Sequence, residues 1–135
     1  MKDLFLPLKV SATALEAQKI RLNVIASNIA NINSTKTPEG GPYRRKDVLF
    51  ITYIYDQISQ GVDVLKIVED QRPFRTVYDP SHPDADKNGY VKYPNVNPME
   101  EMINLISASR AYEANLTMIN SYKEMFTRAL DLLRV

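Results

Sequence analysis

The chain has 135 residues, 44% hydrophobic and 24% charged, with a formal net charge of +1, which is the balance of one ordinary globular domain. That charge offers no broad basic surface for nucleic acid, and the absence of cysteine excludes disulfides, thiolate catalysis and zinc–thiolate sites. No apolar run approaches the ~20 residues of a membrane span, and Pro7 and Lys9 break the stretch after Lys2, so neither membrane insertion nor a cleaved secretory signal is expected.

From Leu8 to Ile32 there is no Gly or Pro, and Ala, Leu and Ile dominate, which predicts a helix. Its apolar residues repeat every seven, as Leu8, Leu15, Leu22 and Ile29. The companion position holds Ser11, Gln18, Ile25 and Ile32. One apolar row beside a half-polar one describes a helix that needs a partner. Glu16, Lys19 and Arg21 mark its solvated side.

Residues 33–97 follow a different pattern, holding most of the prolines and all four glycines. Thr37-Pro38-Glu39-Gly40-Gly41-Pro42 is a dense turn signal. Val48 to Tyr55 is β-branched and aromatic and predicts a strand. Val62 to Val68, Arg75 to Tyr78 and Tyr90 to Tyr93 are further strand candidates, giving a small antiparallel β unit.

Asn97-Pro98-Met99-Glu100 supplies a cap, a proline at the first helical position and an early acid, so it opens a second helix. No Gly or Pro follows as far as Arg134, a run of about 55 Å at ~1.5 Å per residue. One seam reads Leu105, Tyr112, Ile119, Phe126 and Leu133, and its companion reads Met102, Ser109, Leu116 and Leu130, with Lys123 interrupting. The fold class expected is α+β. Long N- and C-terminal heptad helices pair as an antiparallel coiled coil, with a small antiparallel β unit between them. The corresponding divisions are 1–34, 35–97 and 98–135. An amphipathic pair that simply closes a monomeric core explains the heptads equally well.

Leu22 to Asn31, with Ser27-Asn28-Ile29-Ala30-Asn31 at its centre, resembles the N-terminal signature of the flagellar axial proteins of rod, hook and hook-associated structures. Met102 to Asn120, around Ser107 to Asn115, is similar to that family's C-terminal signature. Most members resume with Gly-Tyr-Lys or Gly-Tyr-Arg soon after the Asn motif, whereas here an insert runs from Thr37 to Arg45. That insert, with Tyr78-Asp79-Pro80, Gly89 to Lys92 and Pro94-Asn95-Val96, resembles the short proximal-rod members. Asp56 to Gln71 matches least.

The resemblance implies a structural rod subunit of the bacterial flagellar basal body, where the rod crosses the periplasm, and not an enzyme. It implies export by the flagellar type III apparatus without a cleaved signal peptide. Its partners would be other rod proteins and the membrane-embedded basal ring, with no cofactor, nucleic acid or small-molecule substrate. The subunit contacts would come from Leu15, Leu22, Ile25, Asn28, Ile29 and Asn31 in the first helix. In the last helix they would come from Leu105, Tyr112, Asn115, Leu116, Ile119, Phe126 and Leu130. Asn28 and Asn31 also suit a helix end, and Ala26 and Ala30 would let a neighbouring helix approach.

Other patterns read as ordinary structure. Asp84-x-Asp86-x-Asn88-Gly89 copies half of a calcium-binding loop, the rival reading. The twelfth position is Asn95 rather than Glu, and Pro80, Pro83 and Pro94 replace the flanking helices. A turn between strands accounts for the same residues. His82 lacks spaced metal-ligand partners. Glu100 and Glu101 point apart on a helix and suit its start. Arg44-Arg45-Lys46 reads as a solvated strand start.

Overall fold

The computed structural model describes residues 5–54 and 60–133. The first helix, α1, spans Leu6–Ala30. Pro7 lies in its first turn, where the missing N–H would have had no helical partner, so the helix starts before the proline. It stops at Asn31, whose backbone N–H and Nδ2 both donate to the Ser27 carbonyl, at 3.1 and 2.9 Å. Asn31 has φ −102°, so the helix ends without a left-handed residue.

Strands β1 (Lys46–Ile54) and β2 (Gln60–Glu69) form an antiparallel ribbon. Leu49 pairs with Lys66 and Phe50 with Val64, so Leu65 is an extra residue that bulges β2. The strand is described as far as Ile54, and Tyr55, its expected end, lies outside the described residues. Much of the poorly matching stretch after Asp56 is β2 itself. A second ribbon pairs β3 (Arg75–Tyr78) with β4 (Tyr90–Tyr93). Its loop closes on Gly89, where φ is +81° and a Cβ would lie 2.9 Å from the Tyr78 ring, so glycine alone fits.

The last helix, α2, spans Pro98–Leu132, 35 residues or about 52 Å at ~1.5 Å per residue. The Asn97 side chain caps it by accepting from the Met99 N–H at 3.0 Å and the Glu100 N–H at 3.5 Å. The helices pair antiparallel: Asn28, near the end of α1, bonds Glu101 at the start of α2, and the Phe5 ring meets Phe126 at 6.0 Å. The long ribbon runs back along α1. Its two ends are fixed by Asn28 on Lys46 and by the Val62 N–H donating to Thr13 Oγ1 at 3.1 Å. From Asn28 to Thr13 is about 22 Å of helix, and from Lys46 to Thr52, the partner of Val62, is about 20 Å of strand. The α+β architecture is thus the one the pattern predicts.

The apolar core is thin. It holds Ala17, Val24 and Ile25 of α1, Tyr43, Val48, Val91, and Ala108 of α2. Leu15, Leu22 and Ile29 are half-buried on α1, and Tyr112, Ile119 and Phe126 are half-buried on α2. The second α2 row differs from expectation. Met102, Leu116 and Leu130 are 53%, 42% and 47% exposed, and Leu105 is 36% exposed. The inward row, one residue away, is Glu101, Ala108, Asn115 and Tyr122, again spaced by seven. Glu101 fixes this rotation because its carboxylate is wholly buried, and Ala108 leaves room for α1 to close on it. Ala26 and Ala30 are exposed instead, and the buried alanines are Ala17, which faces β2, and Ala108 of α2.

Ala108→Leu should therefore overpack the helix pair and cost about 1–3 kcal/mol. The control Ala114→Leu, on the exposed side, should stay within ~0.5 kcal/mol. Urea unfolding followed by circular dichroism measures both. Equal midpoints for the two variants would contradict this packing.

Candidate functional site

The Asn motif leads to a buried polar junction where the end of α1, the start of β1, the end of β2 and the start of α2 converge. Asn28 is 0% exposed and uses its full hydrogen-bonding capacity within the chain. Its Nδ2 donates to the Lys46 carbonyl at 2.8 Å and to Glu101 Oε2 at 3.0 Å. Its Oδ1 accepts from the Lys46 N–H at 2.9 Å and the Tyr43 hydroxyl at 3.0 Å. One side chain thereby joins both helices to the first strand. The expected direct contact of Asn28 with a neighbouring subunit has no polar atom left to make it.

Glu101 is 0% exposed and Arg45 only 5%. Arg45 Nε donates to Glu101 Oε1 at 2.6 Å, and Nη1 lies 3.0 Å from Asp47 Oδ2 and 3.6 Å from Asp70 Oδ2. Both Glu101 oxygens are thus matched, one by guanidinium and one by amide. Reading Arg45 as a solvated strand residue, and Glu101 as only a helix-start acid, is corrected here: they form a buried ion pair. Glu100 does point the other way, where Arg72 grips it with two nitrogens at 3.0 and 3.3 Å.

The outer part of the junction fastens the loops. Arg72 also donates to Asp70 Oδ2. Arg44 donates to the Asp70 carbonyl at 3.0 Å and stacks 4.3 Å over Phe74. Asn95 accepts the Arg45 N–H at 2.8 Å and donates to the carbonyls of Asp70 and Arg72, both at 3.0 Å. Burial works against the Arg45 charge, yet its hydrogen bonds to Glu101 and Asp47 leave the pKa above the ordinary guanidinium value. Hydrogen bonds to Asp70 and then Glu100 raise that of Arg72. The Arg72 hydrogen bond also holds the Asp70 carboxyl below its usual range, outweighing the opposing effect of burial.

The remaining expected residues are spread along the helices. Ile25 is buried at 4%, and Leu15, Leu22, Ile29, Tyr112, Ile119 and Phe126 are half-buried. Asn115 donates to the Ala111 carbonyl at 2.8 Å, within its own helix. Asn31 Oδ1 accepts the Ser34 hydroxyl at 3.1 Å. Leu105, Leu116 and Leu130 lie on the exposed flank of α2. The calcium-like run is held as a turn. Asp86 Oδ1 accepts the N–H groups of Asn88 and Tyr90, and Asp84 accepts the Thr35 hydroxyl. Among the described residues no group of three or more His, Cys, Asp or Glu is placed to hold a metal.

Arg45→Met would leave Glu101 buried without its cation and should cost about 3–5 kcal/mol. Adding Glu101→Leu should recover part of that loss, since it removes the unpaired charge but leaves the Asn28 amide without one acceptor, and denaturant midpoints of the three chains check it. A double variant no more stable than Arg45→Met would contradict the pairing. The lowered pKa of Asp70 gives a stabilising contribution that is full above the unfolded value of ~3.9 and lost as pH falls through the folded value. Asp70→Asn should therefore flatten the acid limb of the stability–pH curve below pH ~4. An unchanged slope there would count against the Arg72 contact.

Two family models match the chain at its ends. One, described as flagella basal body rod protein, covers residues 8–36, and the other, flagellar basal body rod FlgEFG protein C-terminal, covers 87–132. Together they contain Asn28 and Glu101, whereas Arg45 falls between them. Curated relatives match over nearly their whole length. The flagellar basal-body rod protein FlgC of Borreliella burgdorferi is 47% identical over 97% of this chain and 98% of its own. The FlgC of Salmonella typhimurium is 47% identical over 91% and 92%. That of Bacillus subtilis is 43% identical over 95% and 97%. At this identity and coverage, with both helical signatures in place, the chain belongs to the family of flagellar basal-body rod proteins represented by these FlgC sequences.

Proposed function

We propose that the chain is a structural subunit of the flagellar basal-body rod that joins its neighbours through apolar helical surface left uncovered by its own fold. The supporting observation is the second half of α2. Leu116, Met125, Leu130 and Leu132 are 42%, 68%, 47% and 79% exposed on a helix that packs against a single partner helix. Leu116 and Leu130 lie with Leu105 along one side of the helix, whereas Met125 and Leu132 lie on the opposite side, so apolar surface is left open on both. Isolated exposed apolar residues are ordinary, but a row such as Leu105, Leu116 and Leu130 along one long helix marks an interaction surface.

In this reading the interface residues divide into two groups. Leu105, Leu116 and Leu130 touch neighbours directly. Leu15, Leu22, Ile25, Ile29, Tyr112, Ile119 and Phe126 close the intrachain pair, with one flank of the half-buried members available to a neighbour. Asn28, Asn31 and Asn115 act indirectly, by holding the helix ends and surfaces in place. The role is mechanical and not catalytic: the subunit connects the basal ring to the distal rod and carries torque through packed helices. Close-packed interiors transmit strain, which suits that load. Its partners are other rod proteins and the basal ring, and it reaches them through the flagellar type III apparatus without a cleaved signal peptide.

Leu116→Asp tests the reading. The position is exposed in the single chain, so the unfolding midpoint should move by no more than ~0.5 kcal/mol. The same carboxylate would be buried unpaired in the rod, and the chain should then be exported but missing from purified basal bodies. Glu113→Gln should assemble normally. A normal amount of the Leu116→Asp chain in the rod would overturn the assignment of this row.

A further inference from the structure

The first two turns of α2 carry a second apolar surface. Met99, Met102, Ile103 and Ile106 are 65%, 53%, 65% and 52% exposed, at the i, i+3, i+4, i+7 spacing of one helical stripe. Glu101 lies within this segment and turns toward Asn28 and Arg45, so the stripe faces away from α1 and cannot fold back onto it. Four residues beyond Ile106 the stripe ends on exposed Arg110.

A groove lies between α1 and β2. A hollow of about 510 Å³ is lined by Ile20, Asn23, Val24 and Ser27 from the helix, by Ile67, Val68 and Glu69 from β2, and by Lys46 at the start of β1. It shares Ile20 with a neighbouring hollow of about 350 Å³, whose rim carries Glu16 and Asp63. The helical wall repeats the stripe's own spacing.

We infer that the stripe of one copy seats in the α1–β2 groove of the next, with the incoming α2 antiparallel to α1. Placing Met99 beside Ser27 brings Met102 to Val24, Ile103 to Asn23 and Ile106 to Ile20. The same register brings Arg110 to Glu16 and Asp63, eleven residues or about 16 Å along both helices. Met102 and Ile106 therefore meet the apolar wall at Val24 and Ile20, Met99 and Ile103 cover Ser27 and Asn23, and the single charge that ends the stripe meets the acidic end of the groove. Because stripe and groove lie on different faces, the contact is head-to-tail and builds an open helical array. This docking rests on the rod-subunit reading and names a surface for contact between copies of the same chain.

The absence of cysteine makes cross-linking a clean test. Asn23→Cys and Ile103→Cys, both at exposed positions, are introduced together into the full chain, and purified basal bodies are oxidised. A ladder of dimers and larger homo-oligomers is expected from the double variant, and none from either single variant. Ile20→Cys with Ile106→Cys should give the same ladder. Arg110→Glu should weaken it, and adding Glu16→Arg should restore it. Normal incorporation without a ladder from either cysteine pair would overturn the docking while leaving the rod assignment intact. Dimers from Ile103→Cys alone would overturn it in favour of stripe-on-stripe contact. Cross-links to a different polypeptide would also overturn it. If the unsubstituted chain were itself missing from basal bodies, the rod-subunit reading would fall instead.

Discussion

Placing a carboxylate and a guanidinium out of water is costly, and the chain does so at the one point where its main segments meet. The Arg45–Glu101 pair offsets that cost through the 2.6 Å contact and the Asn28 amide on the other carboxylate oxygen. Buried ion pairs are in general no more stabilising than apolar residues of similar volume, so net stability is not what this pair chiefly supplies. What the polar cluster supplies is choice among arrangements. Asn28 fits only if Lys46, Tyr43 and Glu101 are all in place, and Arg45 fits only with Glu101 and Asp47 beside it. A shift of either helix by one residue would strand a buried charge. Among the described residues only seven apolar side chains are buried, which leaves little other means of fixing the register.

That constraint carries outward into the surface. With Glu101 inward, Ala108, Asn115 and Tyr122 follow it toward α1, and Met102, Leu116 and Leu130 are turned out. The long helix therefore shows apolar side chains to solvent because its inward row is spent on an acid, an alanine and an amide. The ribbon is placed by the same cluster, since Lys46 begins β1 directly against Asn28. Chain geometry and exposed surface thus share one cause. The surface so displayed is what a polymerising subunit needs, and the proposed role in the rod follows from it.

Much of this was legible in the amino-acid sequence, and the exceptions have physical reasons. Both helices, all four strands and the Asn97 cap announce themselves through periodicity, β-branched runs and turn residues. The Asn motif leads to the polar junction, where Asn28 bonds within the chain. The inward α2 row was missed because hydrophobicity selects Met102, Leu116 and Leu130, while the row actually buried contains Glu101 and Asn115. Patterns of apolar residues cannot identify a buried charge. Arg45 was hidden in a basic triplet whose two neighbours behave differently: Arg44 stacks on Phe74 and Lys46 is exposed. No local pattern separates Arg45 from Arg44 or Glu101 from Glu100, and only the fold brings the pair together.

A junction that fixes the register of the helix pair must open and close together with it. Native-state hydrogen exchange tests it most directly at the Arg45 and Lys46 amides. These donate to the side chains of Asn95 and Asn28 instead of to a neighbouring strand. If the junction holds the fold together, both amides should exchange only through the global unfolding that governs the centres of α1 and α2. Rapid exchange at Arg45 and Lys46 while the helix centres stay protected would contradict the account.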